Sequence, residues 1–237
     1  MNSLVIGLGE VGTAVKKVFE KHHDVDGRDI EHINTDKQYQ VLHICYRQSD
    51  DFVDITNAYI DEYQPLFTII HTTTPVGTVR KVKGLKAHCP IRGRHEKLAD
   101  GVESYPLFFS YDIYDEWIYV RRYMSETNLQ YNGVRKYETT ELCKLLELIQ
   151  YGYNIEFYRY AKKCCDEFDV DIEHIQDFGK TYNKYIKVLE SDDFMKPVLT
   201  PPEGPIGGHC VLPGMRILNA QVPDTALEQL LLKNKEK

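Results

Sequence analysis

Three glycines, Gly7, Gly9 and Gly12, stand at G-x-G-x-x-G spacing near the start of the chain. Leu4, Val5 and Ile6 before them, with Leu8 inside the motif, mark the end of a buried strand. Val11, Ala14, Val15, Val18 and Phe19 then share one face of a helix predicted over 13–21. Strand, glycine turn and helix in that order suit a dinucleotide pyrophosphate. Gly7 makes the tight turn, Gly9 lets the backbone approach the phosphates, and Gly12 lets the helix pack close to the strand. The free N–H groups at the helix start face the anion. Leu8, Glu10 and Val11 complete the set of residues around it.

Such a turn calls for an acid at the end of the second strand, where it binds the adenosine ribose. Asp29 fits best, and Asp26 is the second candidate. A carboxylate there favours NAD, because it repels the 2′-phosphate of NADP. Arg28, adjacent, softens that preference.

The elements that position these residues follow in order. Residues 40–45 and 66–71 are buried-strand signals, with a helix over 50–62 between them. A helix over 76–82 and a strand over 85–89 come next, then a strand over 106–111, a helix over 113–124 and a strand over 128–134. Alternating strands and helices predict an α/β fold, a Rossmann-type parallel sheet. Ligands in such sheets lie at the carboxyl ends of strands. The ends here are Gly7, Asp29, Cys45-Tyr46 and His71 to Thr74, which brings Tyr46 and Thr73 to the cofactor edge. Arg92, Arg94 and His95 form a basic loop after the next strand, suited to a phosphate or carboxylate.

Beyond residue 133 the pattern changes to long helices, over 139–169 and 171–190. A Pro/Gly-rich loop over 197–208 and two short helices, 209–219 and 224–235, close the sequence. The expected organisation is a dinucleotide-binding domain over 1–133 and a smaller all-helical substrate and dimerisation domain over 134–237.

The chain has 237 residues, 42% of them hydrophobic, which is a globular composition. A net charge of −7 argues against a general nucleic-acid surface. No apolar run approaches the ~20 residues that cross a bilayer, and the start lacks a signal-peptide layout. The six cysteines are scattered without zinc spacing, so no metal is expected and reduced thiols in the cytoplasm are.

Three segments together resemble the UDP-glucose/GDP-mannose dehydrogenase family. The run Thr72-Thr73-Thr74-Pro75-Val76-Gly77-Thr78 is similar to its S-T-V-P-x-G-T segment. Glu141-Leu142-Cys143-Lys144 is similar to its E-x-x-K, and Gly207-Gly208-His209-Cys210 to its G-G-H-C, with Pro205 ahead of it. That family oxidises the primary alcohol of a nucleotide sugar to a carboxylate with NAD. A cysteine captures the intermediate aldehyde, and the thioester formed next is hydrolysed. The resemblance implies Cys210 as that nucleophile, Lys144 as the residue that handles charge or a proton at the alcohol, and Thr73 beside the nicotinamide. It implies His209 near the substrate and a homodimer through the long helix from Thr139, with Tyr151, Tyr153, Phe157, Tyr158 and Tyr160 as candidate contacts.

The departures are as specific. A glutamate of the family falls at Ile91, an asparagine at Leu148 and an aspartate at Gly214. Its further nucleotide-holding domain has no counterpart before Lys237. The expectation is therefore an NAD-dependent oxidoreductase acting on a small alcohol, of phosphorylated or carboxylated type. The alternative is a catalytically degenerate NAD-binding protein, a sensor or the inactive partner of a complete dehydrogenase. Non-redox cysteine chemistry at Cys210 has only the adjacent His209 to support it.

Overall fold

The structure is a computed structural model and describes residues 1–29, 37–206 and 210–234. The chain forms two compact units, Met1–Lys144 and Leu145–Lys237. The first extends past residue 133 and takes in the end of the last strand and the first turns of the long helix.

The first unit is a seven-stranded sheet in the order β2-β1-β3-β4-β5-β6-β7. Its strands are β1 (Asn2–Ile6), β2 (Asp24–Arg28), β3 (Val41–Ile44), β4 (Phe67–Ile70), β5 (Lys86–His88), β6 (Leu107–Tyr111) and β7 (Tyr131–Arg135). All neighbouring pairs are parallel except β5 and β6, so the expected parallel sheet carries one antiparallel junction. The first five strands end level. Ile6 pairs with Arg28 and with Ile44, Ile44 with Ile70, and Ile70 with His88.

Alternation along the strands loads both faces. Val5, Val41, Phe67 and Ile69 pack with α1 (Glu10–Phe19), α3 (Leu98–Ser104) and α4 (Tyr114–Met124). Leu4, Ile6, Leu42, Ile44 and Ile70 pack with Phe52 and Ile60 of α2 (Phe52–Tyr63) and with Tyr137, the first residue of α5 (Tyr137–Glu167).

Three local expectations are corrected. The first helix begins at Glu10, so Gly12 lies inside it. The helix expected over 76–82 is only a short 3-10 turn, Val79–Lys81. Gly77 is left-handed there (φ +89°), and the amides of Gly77 and Val79 are bound by a side chain outside the loop. Helix α3 has no counterpart among the elements expected from the sequence. It contains Gly101, where a Cβ would come within 2.6 Å of the Arg92 carbonyl oxygen.

Polar side chains inside the sheet are paired in one direction. His71 Nδ1 donates to the Cys89 carbonyl at 2.7 Å, so its Nε2 accepts from His43 Nδ1 at 2.9 Å. His43 Nε2 then accepts from Tyr123 at 2.8 Å, and Tyr123 accepts from Ser3 at 3.1 Å. On the other face His88 Nε2 donates to the Thr72 carbonyl at 3.0 Å, and its Nδ1 accepts from Thr140 at 2.7 Å. Every link fits neutral imidazole.

The second unit contains most of α5, α6 (Ile172–Val188), α7 (Val211–Gln221) and α8 (Thr225–Lys233). Its core holds Leu148, Ile155, Ile206, Val211, Met215 and Leu227. Tyr158 is buried and donates to the Pro197 carbonyl at 3.1 Å, so it belongs to the interior and leaves the expected contact stripe. Helix α6 covers a face other than the one that carries its largest apolar residues. It buries Gln176, Gly179 and Ile186, while Phe178, Tyr185 and Leu189 are exposed. Among the described residues no helix is long and apolar enough to cross a membrane.

The neutral histidines make stability depend on pH. Burial pushes His71 and His88 down to about 4 and His43 well below its ordinary range. Unfolded imidazoles titrate at about 6.5. The unfolded chain therefore binds more protons as pH falls from about 6.5 towards 4, and stability falls with it. A shift of that size is worth on the order of 3 kcal/mol per imidazole once the pH is below both values. Urea unfolding between pH 7.5 and 4.5 is expected to show stability full at the upper end and declining below about 6.5. A flat profile across that range would show the imidazoles to be charged or exposed.

Candidate functional site

The residues that follow the five level strand ends are Gly7, Asp29, Cys45, His71 and Cys89. Their placement is fixed by backbone hydrogen bonds. Gly7 donates to the Arg28 carbonyl at 2.8 Å, Cys45 to Ile6 at 2.9 Å, His71 to Ile44 at 2.9 Å and Cys89 to Ile70 at 2.8 Å. One edge of the sheet thus carries every loop that the sequence nominates in the first unit.

The three glycines have different reasons to be there. Gly7 is left-handed (φ +90°), and a Cβ on it would come within 2.6 Å of the Tyr46 amide nitrogen. A Cβ on Gly12 would lie 1.8 Å from the Gly7 carbonyl oxygen. Packing alone demands both. Gly9 is the N-cap of α1, has φ −67°, and would meet nothing within 4 Å. The packing does not require it, and the open space in front of the helix start has the form that suits a phosphate. Leu8 and Val11 turn their side chains into the core, which leaves their backbone to face the edge. Glu10 opens α1 and pairs with His95 at 2.6 Å, so the loop after β5 is tied across the helix start. The residues present fit a dinucleotide pyrophosphate.

The two candidate acids differ in their surroundings. Asp26 is engaged internally by Lys37 and Tyr39, each at 2.8 Å, and the Lys37 hydrogen bond holds its carboxyl below the usual range. Asp29 is exposed immediately after β2, beside the glycine turn. Arg28 is held under α2, with Glu62 at 2.7 Å and the Tyr59 ring centroid at 4.9 Å. Its guanidinium is therefore committed away from a 2′-phosphate.

Tyr46 lies against Gly7 of the glycine turn. Its hydroxyl meets Thr56 at 2.5 Å and its ring packs on Phe52. Thr72 donates to the Tyr46 carbonyl at 2.8 Å, and Thr74 donates to Glu141 at 3.1 Å. Thr73 between them is half-buried, and its hydroxyl has no partner among the described residues. Arg92 is placed between the rings of Tyr105 and Phe108, at 5.4 and 5.5 Å, as a packed post for its loop. Arg94 is exposed.

Sequence reasoning missed Glu141 as a structural centre. It is fully buried on α5 and accepts from Thr74, from the Gly77 amide at 2.7 Å and from the Val79 amide at 2.9 Å. Burial holds its pKa above the ordinary carboxylate range, and the three donors only partly offset that. Lys144, three residues on, is half-buried.

In the second unit Cys210 is half-buried at the N-cap of α7. Gly207, Gly208 and His209 lie outside the described residues. The segment leading to them is anchored by buried Asn234, whose Oδ1 accepts from the Ile206 amide at 2.8 Å and from Arg159 at 2.9 Å. Nothing in the sequence pattern singles out Asn234. One helical turn after Cys210, a Cβ on Gly214 would come within 2.6 Å of Leu148 Cδ1. Ile91 is buried in the core of the first unit. Among the described residues no cluster of His, Cys, Asp or Glu is arranged to hold a metal.

No family model matches the chain. A UDP-N-acetyl-D-mannosamine dehydrogenase of Methanococcus vannielii is 27% identical over 177 residues, covering 68% of this chain and 36% of that protein. The chain is thus similar in sequence to a dehydrogenase of nucleotide sugars. It spans about a third of that curated dehydrogenase's length. Among solved structures, the UDP-N-acetylmannosamine dehydrogenase of Pyrococcus horikoshii shares the fold with a TM-score of 0.79 at 18% identity, over 99% of this chain and 68% of its own. The 3-hydroxyisobutyrate dehydrogenase of Mycobacterium tuberculosis, solved with L-serine, gives 0.68 at 11% identity, over 97% and 91%. The nucleotide-sugar dehydrogenase fold is thus a mostly parallel Rossmann-like sheet followed by helices, as found here.

The glycines can be separated by experiment. Gly12→Ala is expected to cost on the order of 3 kcal/mol of stability, because the clash is with backbone. Gly9→Ala should cost no more than about 1 kcal/mol, yet weaken NADH binding about tenfold or more. Thermal unfolding and calorimetry of the two variants check both. Unaltered NADH binding in Gly9→Ala would remove the phosphate role.

Proposed function

We propose that the chain binds NAD along this edge and catalyses a two-electron interconversion of a small alcohol and its aldehyde. The observation that carries the two-electron limit is Leu148 seated over Gly214. The resemblance puts polar residues of the hydrolytic step at these two positions and at buried Ile91. All three are apolar or bare here, so nothing at them activates water against a thioester.

The reaction balances as alcohol plus NAD going to aldehyde, NADH and a proton. Bound NAD would supply the hydride acceptor. Asp29 would hold the adenosine ribose, and the start of α1 with Gly9 the pyrophosphate. Glu10, Tyr46 and the turn around Leu8 and Val11 shape that crevice. Thr73, with its free hydroxyl, orients the reacting alcohol, and Lys144 accepts or returns its proton. Cys210 at a helix start is suited to reversible capture of the aldehyde. Arg94 and His209 serve an anionic group on the substrate; Arg92 supports the loop.

The substrate class is a small carboxylated or phosphorylated alcohol. The match over 91% of a 3-hydroxyisobutyrate dehydrogenase supports a small hydroxyacid, since that protein's name states such a substrate. The same apolar replacements favour the second reading, an NAD-binding protein without turnover. Absorbance of NADH at its reduced-nicotinamide band separates the two. Aldehyde reduction that consumes NADH and is lost in Lys144→Ala is expected for the enzyme. Tight NADH binding with no turnover across carboxylated and phosphorylated aldehydes would favour the sensor, and carboxylate as the product would overturn the two-electron limit.

A second copy of this chain is the proposed partner. Leu146, Tyr153, Phe157 and Tyr160 are exposed along one helix, and Phe178 and Tyr185 along the next. These residues form apolar stripes longer than scattered surface hydrophobics. Sedimentation is expected to find a dimer that Phe157→Glu with Tyr160→Glu converts to monomer. A monomeric parent protein would end that reading.

A further inference from the structure

The loop between β4 and β5 is held by one buried charge. Glu141 receives the Thr74 hydroxyl and the Val79 amide on Oε1 and the Gly77 amide on Oε2. A buried carboxylate is costly, and it persists where donors are aimed at it. Here all three come from the six-residue stretch 74–79, which overlaps the start of the helix expected over 76–82. Gly77 is left-handed, and a Cβ on it would meet no atom within 4 Å. The turn of its amide towards Glu141, and not crowding, is what calls for glycine.

That stretch begins one residue after Thr73. Thr72 is pinned to the Tyr46 carbonyl and Thr74 to Glu141, so Thr73 is fixed from both sides. The sheet order says which part of a dinucleotide it meets. With the ribose acid after β2 and the glycine turn after β1, the row continues through β3 to β4. Three strand spacings, about 14 Å, separate β2 from β4. Only the end of the dinucleotide remote from the adenosine reaches that loop.

We propose that Glu141 is a positioning residue for the nicotinamide end of the cofactor, acting through the Thr72–Thr74 turn. The inference rests on the dinucleotide reading above. It assigns the buried carboxylate a task that the adenosine half of the site does not share.

ADP-ribose, which lacks nicotinamide, separates the two halves. In Glu141→Gln the amide oxygen can still accept from Thr74 and Val79, while the NH2 group opposes the Gly77 amide. Calorimetry is expected to show NADH weakened about tenfold and ADP-ribose changed by less than about twofold. Thr74→Val removes one donor and keeps the shape; it should shift NADH in the same direction, by about threefold, and serves if the first variant does not fold. Equal losses for both ligands, or no loss for either, would overturn the proposal while leaving the dinucleotide reading intact. An unaltered parent protein that binds neither ligand would overturn both.

Discussion

The amides of Gly7, Cys45, His71 and Cys89 each reach across to the last carbonyl of a neighbouring strand, at 2.8–2.9 Å. Parallel strands permit this only when they stop in register, because their hydrogen bonds are evenly spaced and slanted. Once they do, five loops leave from a single line. The glycine turn, the exposed acid and the threonine run are far apart in sequence and become neighbours through this alignment. A slip of one residue in β3 would turn His43 to the wrong face and draw Tyr46 away from Gly7. The line of loops is therefore a property of strand register before it is a property of any side chain.

Register also explains the polar interior. His43 shares the α1 and α4 face with Tyr123, and His88 takes the other face with Thr140. Each imidazole has one nitrogen committed as donor to a carbonyl or to the next ring, and that commitment dictates its other nitrogen. The chain from Cys89 through His71, His43 and Tyr123 to Ser3 has no free choice of proton position. Such a network holds four strands and a helix at fixed separations, which an apolar filling of equal volume would not specify as narrowly. The cost is sensitivity to acid, since a proton added at His71 Nε2 would oppose the one already donated by His43.

How much of this is legible in the sequence depends on whether a residue's reason is local. Gly12 answers to the Gly7 carbonyl within the same turn and Gly7 to its own left-handed backbone, and their spacing announces them, although the Tyr46 contact of Gly7 is not local. The strand over 40–45 is clear despite His43, because its neighbours are apolar on both sides. The helix expected at 76–82 is reduced to a 3-10 turn, with Gly77 left-handed and its amide and that of Val79 turned to Glu141, more than sixty positions along the chain; no local pattern records that contact. Helix α3 is hidden because it is short and contains Gly101, whose presence is explained only by the Arg92 carbonyl against it. On α6 the spacing of apolar residues is helical, as observed, but periodicity does not say which face is covered. In the candidate site, Asp29 and Thr73 can be placed from strand ends alone. The commitment of Arg92 to two rings, and of Asp26 to Lys37 and Tyr39, cannot.

Gly9 and Gly214 show two different grounds for a missing side chain in this chain. Both lack a side chain, for opposite reasons. At Gly214 the space is taken by Leu148, so the missing side chain is replaced by the chain's own packing. At Gly9 the space is empty, and a Cβ would cost the fold little. Glycine is also a residue that helix N-caps favour, so at Gly9 the helix start stays uncovered at little cost. In the first unit the start of α1 thus keeps open space in front of its amides. In the second unit the space beside Gly214 is filled by the Leu148 side chain.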